Sequence, residues 1–102
     1  METDDLIHAL RSHERELRAA GIRSLSLFGS AARGEAGPRS DVDVVVELDE
    51  SFAEGGFAYF GRLDALGRQI EGIVGRKIDI VTEPVRKERL RRRIDEDRVR
   101  AF

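Results

Sequence analysis

Residues 25–46 read LSLFGSAARGEAGPRSDVDVVV, and this stretch decides the fold. Two short apolar runs, Ser24 to Phe28 and Asp41 to Leu48, flank a loop of small residues, and each run predicts a strand. Side chains alternate along a strand, so Leu25 and Leu27 point inward from the first. On the second, Val42, Val44 and Val46 face a core, while Asp41 and Asp43 share the opposite side. Like charges about 5–7 Å apart repel by roughly 2–3 kcal/mol at an effective dielectric near 20. A divalent cation reverses that cost. Asp41 also fits an ordinary turn or cap position. Asp43 fits one less well, because an isolated aspartate in a valine-rich strand costs stability. Glu47 lies further along the same face and reads as a surface residue.

The first strand runs straight into Gly29-Ser30-Ala31-Ala32-Arg33-Gly34. Glycine permits positive φ and leaves no Cβ to block a ligand. A strand, Gly-Ser and a short helical turn together aim backbone N–H groups and a hydroxyl at one spot, which suits a phosphate. Taken alone the pattern equally describes a plain turn, and Arg33 alone a solvated charge. Glu35 to Ser40, with Gly37 and Pro38, predicts an irregular turn.

The 102 residues suffice for one domain, expected to span 1–102. Hydrophobic content of 40% and charged content of 37% describe a globular surface and core. No apolar run approaches the ~18 residues that span a bilayer, and the acidic start METDDLIHAL lacks a signal-peptide pattern. Without cysteine there is no disulfide framework and no thiolate metal site. The expected location is the cytoplasm, with no membrane contact. A net charge of −2 argues against a globally basic nucleic-acid binder, so no direct nucleic-acid contact is expected. The charge is uneven: residues 84–102 hold eight Lys/Arg against four Asp/Glu, leaving the remainder at −6.

Residues 4–20 predict one amphipathic helix, with Thr3 as N-cap, Asp4 and Asp5 in the first turn, and Gly21 as the stop. Leu6, Leu10, His13 and Leu17 define its inner face. His8 and His13 fall on different faces and make no metal pair. Residues 49–56 predict a loop. From Phe57, Phe60, Leu63, Leu66, Ile70, Ile73 and Val74 keep helical spacing up to Gly75, with the aromatic residues read as core. Gly61, Gly67 and Gly72 each weaken this helix by ~1 kcal/mol relative to alanine; they either allow close packing or simply lower its stability. Lys77 to Thr82 predicts a third strand, with Ile78 and Ile80 inward and Asp79 on the polar side. If that strand lies beside the second, three carboxylates converge; two could hold Mg²⁺ and the third take a proton from an attacking hydroxyl. Pro84 then suits the first position of a basic helix, Val85 to Ile94. Its arginines are either a solvated face or a contact for an acidic partner or RNA. The tail is expected to fold back through Val99 and Phe102.

Gly29-Ser30, Ala32-Arg33-Gly34, Ser40-Asp41, Asp43 and the later Gly75-Arg76-Lys77-Ile78-Asp79 together resemble the minimal nucleotidyltransferases of the DNA polymerase beta superfamily. That signature is GSxARG, five residues, then SDxD, with a third acidic strand downstream. The five residues EAGPR separate Gly34 from Ser40, so the spacing agrees; Val44 stands where leucine is commoner. The resemblance implies an α/β fold, a small mixed sheet with helices on one face. It implies that Gly29 and Ser30 grip nucleotide phosphates, with Arg33 and Ser40 beside them. Asp41 and Asp43 would coordinate Mg²⁺ carrying the triphosphate, and Asp79 would complete the set as ligand or general base.

In similar minimal proteins the nucleotide is ATP and the acceptor is a tyrosine on a partner toxin of the HEPN fold, an RNase silenced by adenylylation. The brevity of the chain adds the expectation that a partner supplies the acceptor side. Two other activities fit the same resemblance: transfer to a small hydroxylated molecule, and an inactive antitoxin that works by binding alone.

Overall fold

Strand alternation is obeyed where the sequence is most apolar. Ile22–Phe28 forms β1 and Val42–Leu48 forms β2, antiparallel neighbours that set Leu25 opposite Val46, Leu27 opposite Val44 and Phe28 opposite Asp43. Ile78–Thr82 forms β3, parallel to β2, and the short Val99–Arg100 forms β4, antiparallel to β1. The order across the mixed sheet is β3-β2-β1-β4. These relationships come from a computed structural model that describes residues 3–102 apart from Pro38, Gly55 and Phe57. The expected places of Pro38 in the turn and Phe57 on a helix therefore lie outside the described residues.

Five helices accompany the sheet among the described residues: α1 (Thr3–Ser12), α2 (Glu14–Ala19), α3 (Gly29–Ala32), α4 (Ala58–Val74) and α5 (Glu88–Asp97). Leu6, Leu10 and Leu17 from α1 and α2, with Leu66, Ile70 and Val74 from α4, bury against Leu25, Leu27, Val42, Val44 and Val46. Each such side chain contributes about 1.5–3 kcal/mol on leaving water. Leucines and isoleucines at helical spacing thus meet valines at strand spacing, and the main core follows from the two periodicities.

The opposite face is covered too. Ile94 of α5 packs with Phe28 and Val45, bordered by Val81, Val85 and Leu90. The mixed sheet is as expected, with α1, α2 and α4 on one side; α5 adds cover on the other. The reason is that Phe28 and Val45 give the polar face an apolar end, and Leu90 and Ile94 are four apart on one side of α5.

Several local expectations need correcting. The helix predicted over residues 4–20 is broken at His13, whose φ of −110° and ψ of 17° end one helix and start the next. The His13 amide reaches back to the Leu10 carbonyl at 3.1 Å, a tightened last turn that still leaves Leu17 inward. Thr3 is already helical and spends its hydroxyl on the Ala31 carbonyl at 2.6 Å, tying α1 to α3. β1 starts two residues earlier than Ser24 because Ile22 is buried. Pro84 does not open the basic helix; α5 begins at Glu88, after Lys87. Phe60 is not core: it is 72% exposed on the outer side of α4. In the 49–56 loop a 3-10 turn at Glu50–Ala53 buries Phe52 over Gly21. Gly21 and Gly75 do end their helices, with φ of 111° and 70°.

The tail is pinned as expected. Ala101 and Phe102 are buried, the Ala101 amide bonds the Leu25 carbonyl at 2.9 Å, and Arg11 Nε donates to the Ala101 carbonyl at 2.7 Å. Among the described residues no helix is long and apolar enough to cross a membrane.

Candidate active site

Asp43 stands between two neighbours on the sheet. Across β1 it is opposite Phe28, the last strand residue before Gly29; across β3 it is level with Asp79. Parallel strands lie about 4.8 Å apart, and residues in register point to the same face. The two carboxylates are therefore side by side. Asp41 is exposed and immediately precedes β2 rather than belonging to it, yet its charge still acts on Asp43.

The loop after β1 passes directly over this carboxylate. Gly29 is buried with φ of 68°, and a Cβ built on it would collide with Asp43 Oδ2. Both constraints demand glycine. α3 is then a single turn, closed by Arg33 N–H to the Gly29 carbonyl at 3.2 Å and Glu35 N–H to the Ser30 carbonyl at 2.9 Å. Its first N–H groups have no carbonyl within the turn to bond. Four residues carry little helix dipole, so whatever anion affinity the turn has comes from those N–H groups and the Ser30 hydroxyl.

The remaining predicted residues divide. Arg33 is exposed and doubly engaged: Nε donates to Glu35 at 3.1 Å and Nη1 to Asp97 of α5 at 2.7 Å. The Ser40 hydroxyl accepts the Gly37 N–H at 3.2 Å, and its carbonyl accepts from Arg76 at 2.6 Å. Arg76 also donates to the Gly37 carbonyl, and so staples the loop before Asp41 to the start of β3. Arg39, Ser40, Asp41, Gly75, Arg76 and Lys77 line an open cleft beside the carboxylates.

Burial, and next the charge of Asp79, hold Asp43 above its ordinary carboxylate value; Asp41 adds to this, while Arg93 and Arg33 oppose it. A carboxylate that resists ionisation beside like charges is one that a cation would relieve. Its donor set fits Mg²⁺, which takes oxygen from one or two carboxylates and fills its remaining positions with water and phosphate. Among the described residues no group of three His, Cys, Asp or Glu side chains is gathered tightly enough to cage a metal unaided.

Arg93 and Asp97 were not singled out by the sequence as neighbours of the site, and Arg76 entered only as part of the run Gly75 to Asp79. Arg93 lies in a run of three arginines, Arg91 to Arg93, with nothing to separate them by type. The usable signal was positional, since Leu90 and Ile94 already mark the inner side of that helix.

The nucleotidyltransferase domain profile matches residues 10–101. The chain belongs to that family, and it is a nucleotidyltransferase of the minimal kind. It is 34% identical over 90 residues to MJ1379 of Methanocaldococcus jannaschii, provisionally a protein adenylyltransferase, covering 86% of each chain. To the protein adenylyltransferase MntA of Thermococcus cleftensis it is 32% identical over 79 residues, covering 76% of this chain and 74% of that one. A solved structure provisionally assigned as a minimal nucleotidyltransferase superposes with a TM-score of 0.72 at 31% identity, covering 97% and 95%. Two more distant structures show the same fold. One is a toxin–antitoxin complex with AMP-PNP (TM-score 0.66, 17% identity, covering 90% of this chain and 72% of that one). The other is a tri-AMPylated HEPN toxin of Shewanella oneidensis with its MNT antitoxin (TM-score 0.60, 14% identity, covering 94% and 71%).

Proposed function

We propose that this nucleotidyltransferase moves AMP from ATP to a tyrosine hydroxyl of a partner HEPN RNase toxin and thereby silences it. The observation that carries the reading is the shared rung of Asp43 and Asp79 beneath the Gly29 turn. The names of the relatives support transfer to a protein, and the distant toxin–antitoxin complexes support a HEPN partner.

In this reading Gly29 and Ser30 hold the phosphates through backbone N–H groups and the hydroxyl, with Arg33 and Ser40 at the margin. Asp41 and Asp43 would hold Mg²⁺, with Asp79 completing the set as a further ligand or as the general base. When bound, that ion would supply positive charge to offset the negative charge that builds on the leaving pyrophosphate. The tyrosine oxygen bonds to the α-phosphorus, the bond from that phosphorus to the bridging oxygen of pyrophosphate breaks, and the tyrosine proton passes to Asp79. Asp79 suits that task because it is exposed while Asp43 is half-buried. A cytoplasmic setting, where ATP and an RNase target coexist, is consistent with this.

The test is to incubate the protein with ATP, Mg²⁺ and the product of the adjacent reading frame, assay that product for RNase activity, and map it by peptide mass spectrometry. AMP on tyrosine, with loss of RNase activity, is the expected result. Labelling of an aminoglycoside-like molecule and not of the RNase would overturn it. So would full neutralisation by an Asp41→Asn, Asp43→Asn variant, which would leave binding as the mechanism.

A further inference from the structure

The helix α5 lies across the same sheet face as Asp43, anchored by Ile94 between Phe28 and Val45. Residues four apart stand one above the other on a helix, so Arg93 and Asp97 form a stripe flanking the anchored pair Leu90 and Ile94. The far end of that stripe is located independently, because Asp97 accepts from Arg33 at 2.7 Å. Arg33 closes the turn that begins at Gly29. The stripe therefore runs along the side of the site where the phosphates are expected.

On the α5 side of the site three other cations are engaged. Arg33 is held by Glu35 and Asp97, Arg92 pairs with Glu88 at 2.8 Å, and Arg98 pairs with Glu83. Among the described residues Arg93 makes no ion pair, although its charge acts on Asp43 more strongly than that of Arg33 or Asp41. Its chain neighbour Ile94 packs on Phe28, the residue level with Asp43 on the adjoining strand. A guanidinium without an ion pair on the same sheet face as a carboxylate pair suits an anion that the carboxylates hold through a cation.

We propose that Arg93 is a binding residue for the terminal phosphates of the nucleoside triphosphate, and that α5 forms one wall of the site. The inference rests on the nucleotidyl-transfer reading above and adds to it a residue outside the signature motif. A triphosphate brings several negative charges beside three carboxylates, and a planar guanidinium answers two phosphate oxygens at once. Arg93 is exposed, so its loss leaves the core of α5 unchanged.

Calorimetric titration with MgATP tests this on four proteins: wild type, Arg93→Ala, Arg93→Lys and Arg92→Ala. Arg93→Ala is expected to weaken MgATP by about tenfold to a hundredfold with unchanged melting temperature in the absence of ligand. Arg93→Lys should recover part of the loss, and Arg92→Ala should bind as wild type does. Wild-type affinity in Arg93→Ala would overturn the assignment and leave the nucleotidyl-transfer reading standing. Equal weakening by Arg92→Ala would also overturn it, since the general charge of α5 would then suffice. A wild type that does not bind MgATP would overturn that underlying reading itself.

Discussion

Asp43 on β2 and Asp79 on β3 occupy the same rung of a parallel strand pair, and Asp43 is the more buried of the two. Nothing in the packing requires this. Valine or threonine at either position would suit the pleat better and remove a repulsion.

That repulsion sets a pH dependence. Burial and Asp79 raise Asp43 above its ordinary 3.8, so the folded protein holds this proton more tightly than the unfolded chain does. The stability that goes with protonated Asp43 is complete below the unfolded value and is lost as pH rises through the raised folded one. Asp43→Asn removes that loss. Thermal melts from about pH 3 to about pH 7 should show the variant gaining on wild type as pH rises. A variant that falls behind wild type over that range would show that the ionised carboxylate stabilises the fold.

Gly29 should not tolerate a side chain. Alanine there meets a left-handed backbone and the Asp43 carboxylate together. Gly29→Ala is expected to cost about 1–3 kcal/mol in urea unfolding, and transfer should fall further than stability does. Wild-type stability and activity would mean that the turn can move aside.

The glycines of α4 behave in the opposite way. A Cβ at Gly61, Gly67 or Gly72 meets nothing within 4 Å, so close packing is not their reason. Each substitution to alanine should stabilise the protein by about 0.5–1 kcal/mol, read as a higher denaturant midpoint with transfer unaffected.

Ile94 fastens α5 to the sheet through a cluster of three buried residues. Ile94→Ala should cost about 2–5 kcal/mol, and through the displaced stripe of Arg93 and Asp97 it should weaken MgATP as well. Hydrogen exchange of α5, compared with α4, would report the loosening.

The parts of this fold that a sequence displays are those with strong periodicity. Val42, Val44 and Val46 announce a half-buried strand, and Leu66, Ile70 and Val74 announce a helix face. The core is built from these positions. The carboxylates were legible because Asp43 and Asp79 break apolar strands, and strands of this kind keep their polar positions on one side. Less legible was anything set by tertiary contact. His13 interrupts a helix without proline or glycine, Phe60 keeps helical spacing yet faces water, and α5 starts four residues after Pro84. The register that brings Asp79 level with Asp43 is also tertiary, since one residue of slip would move it to the other face. Arg93 illustrates the same limit, because three consecutive arginines look alike until a neighbouring element selects one.

The most direct measurement follows α-labelled ATP into the proposed HEPN partner, with Mg²⁺, for wild type, Asp43→Asn and Asp79→Asn. A shared site for metal-borne triphosphate predicts label on the partner with wild type only, at least about a hundredfold above either variant, and none after chelation of the metal. Equal labelling by Asp43→Asn or Asp79→Asn would contradict it.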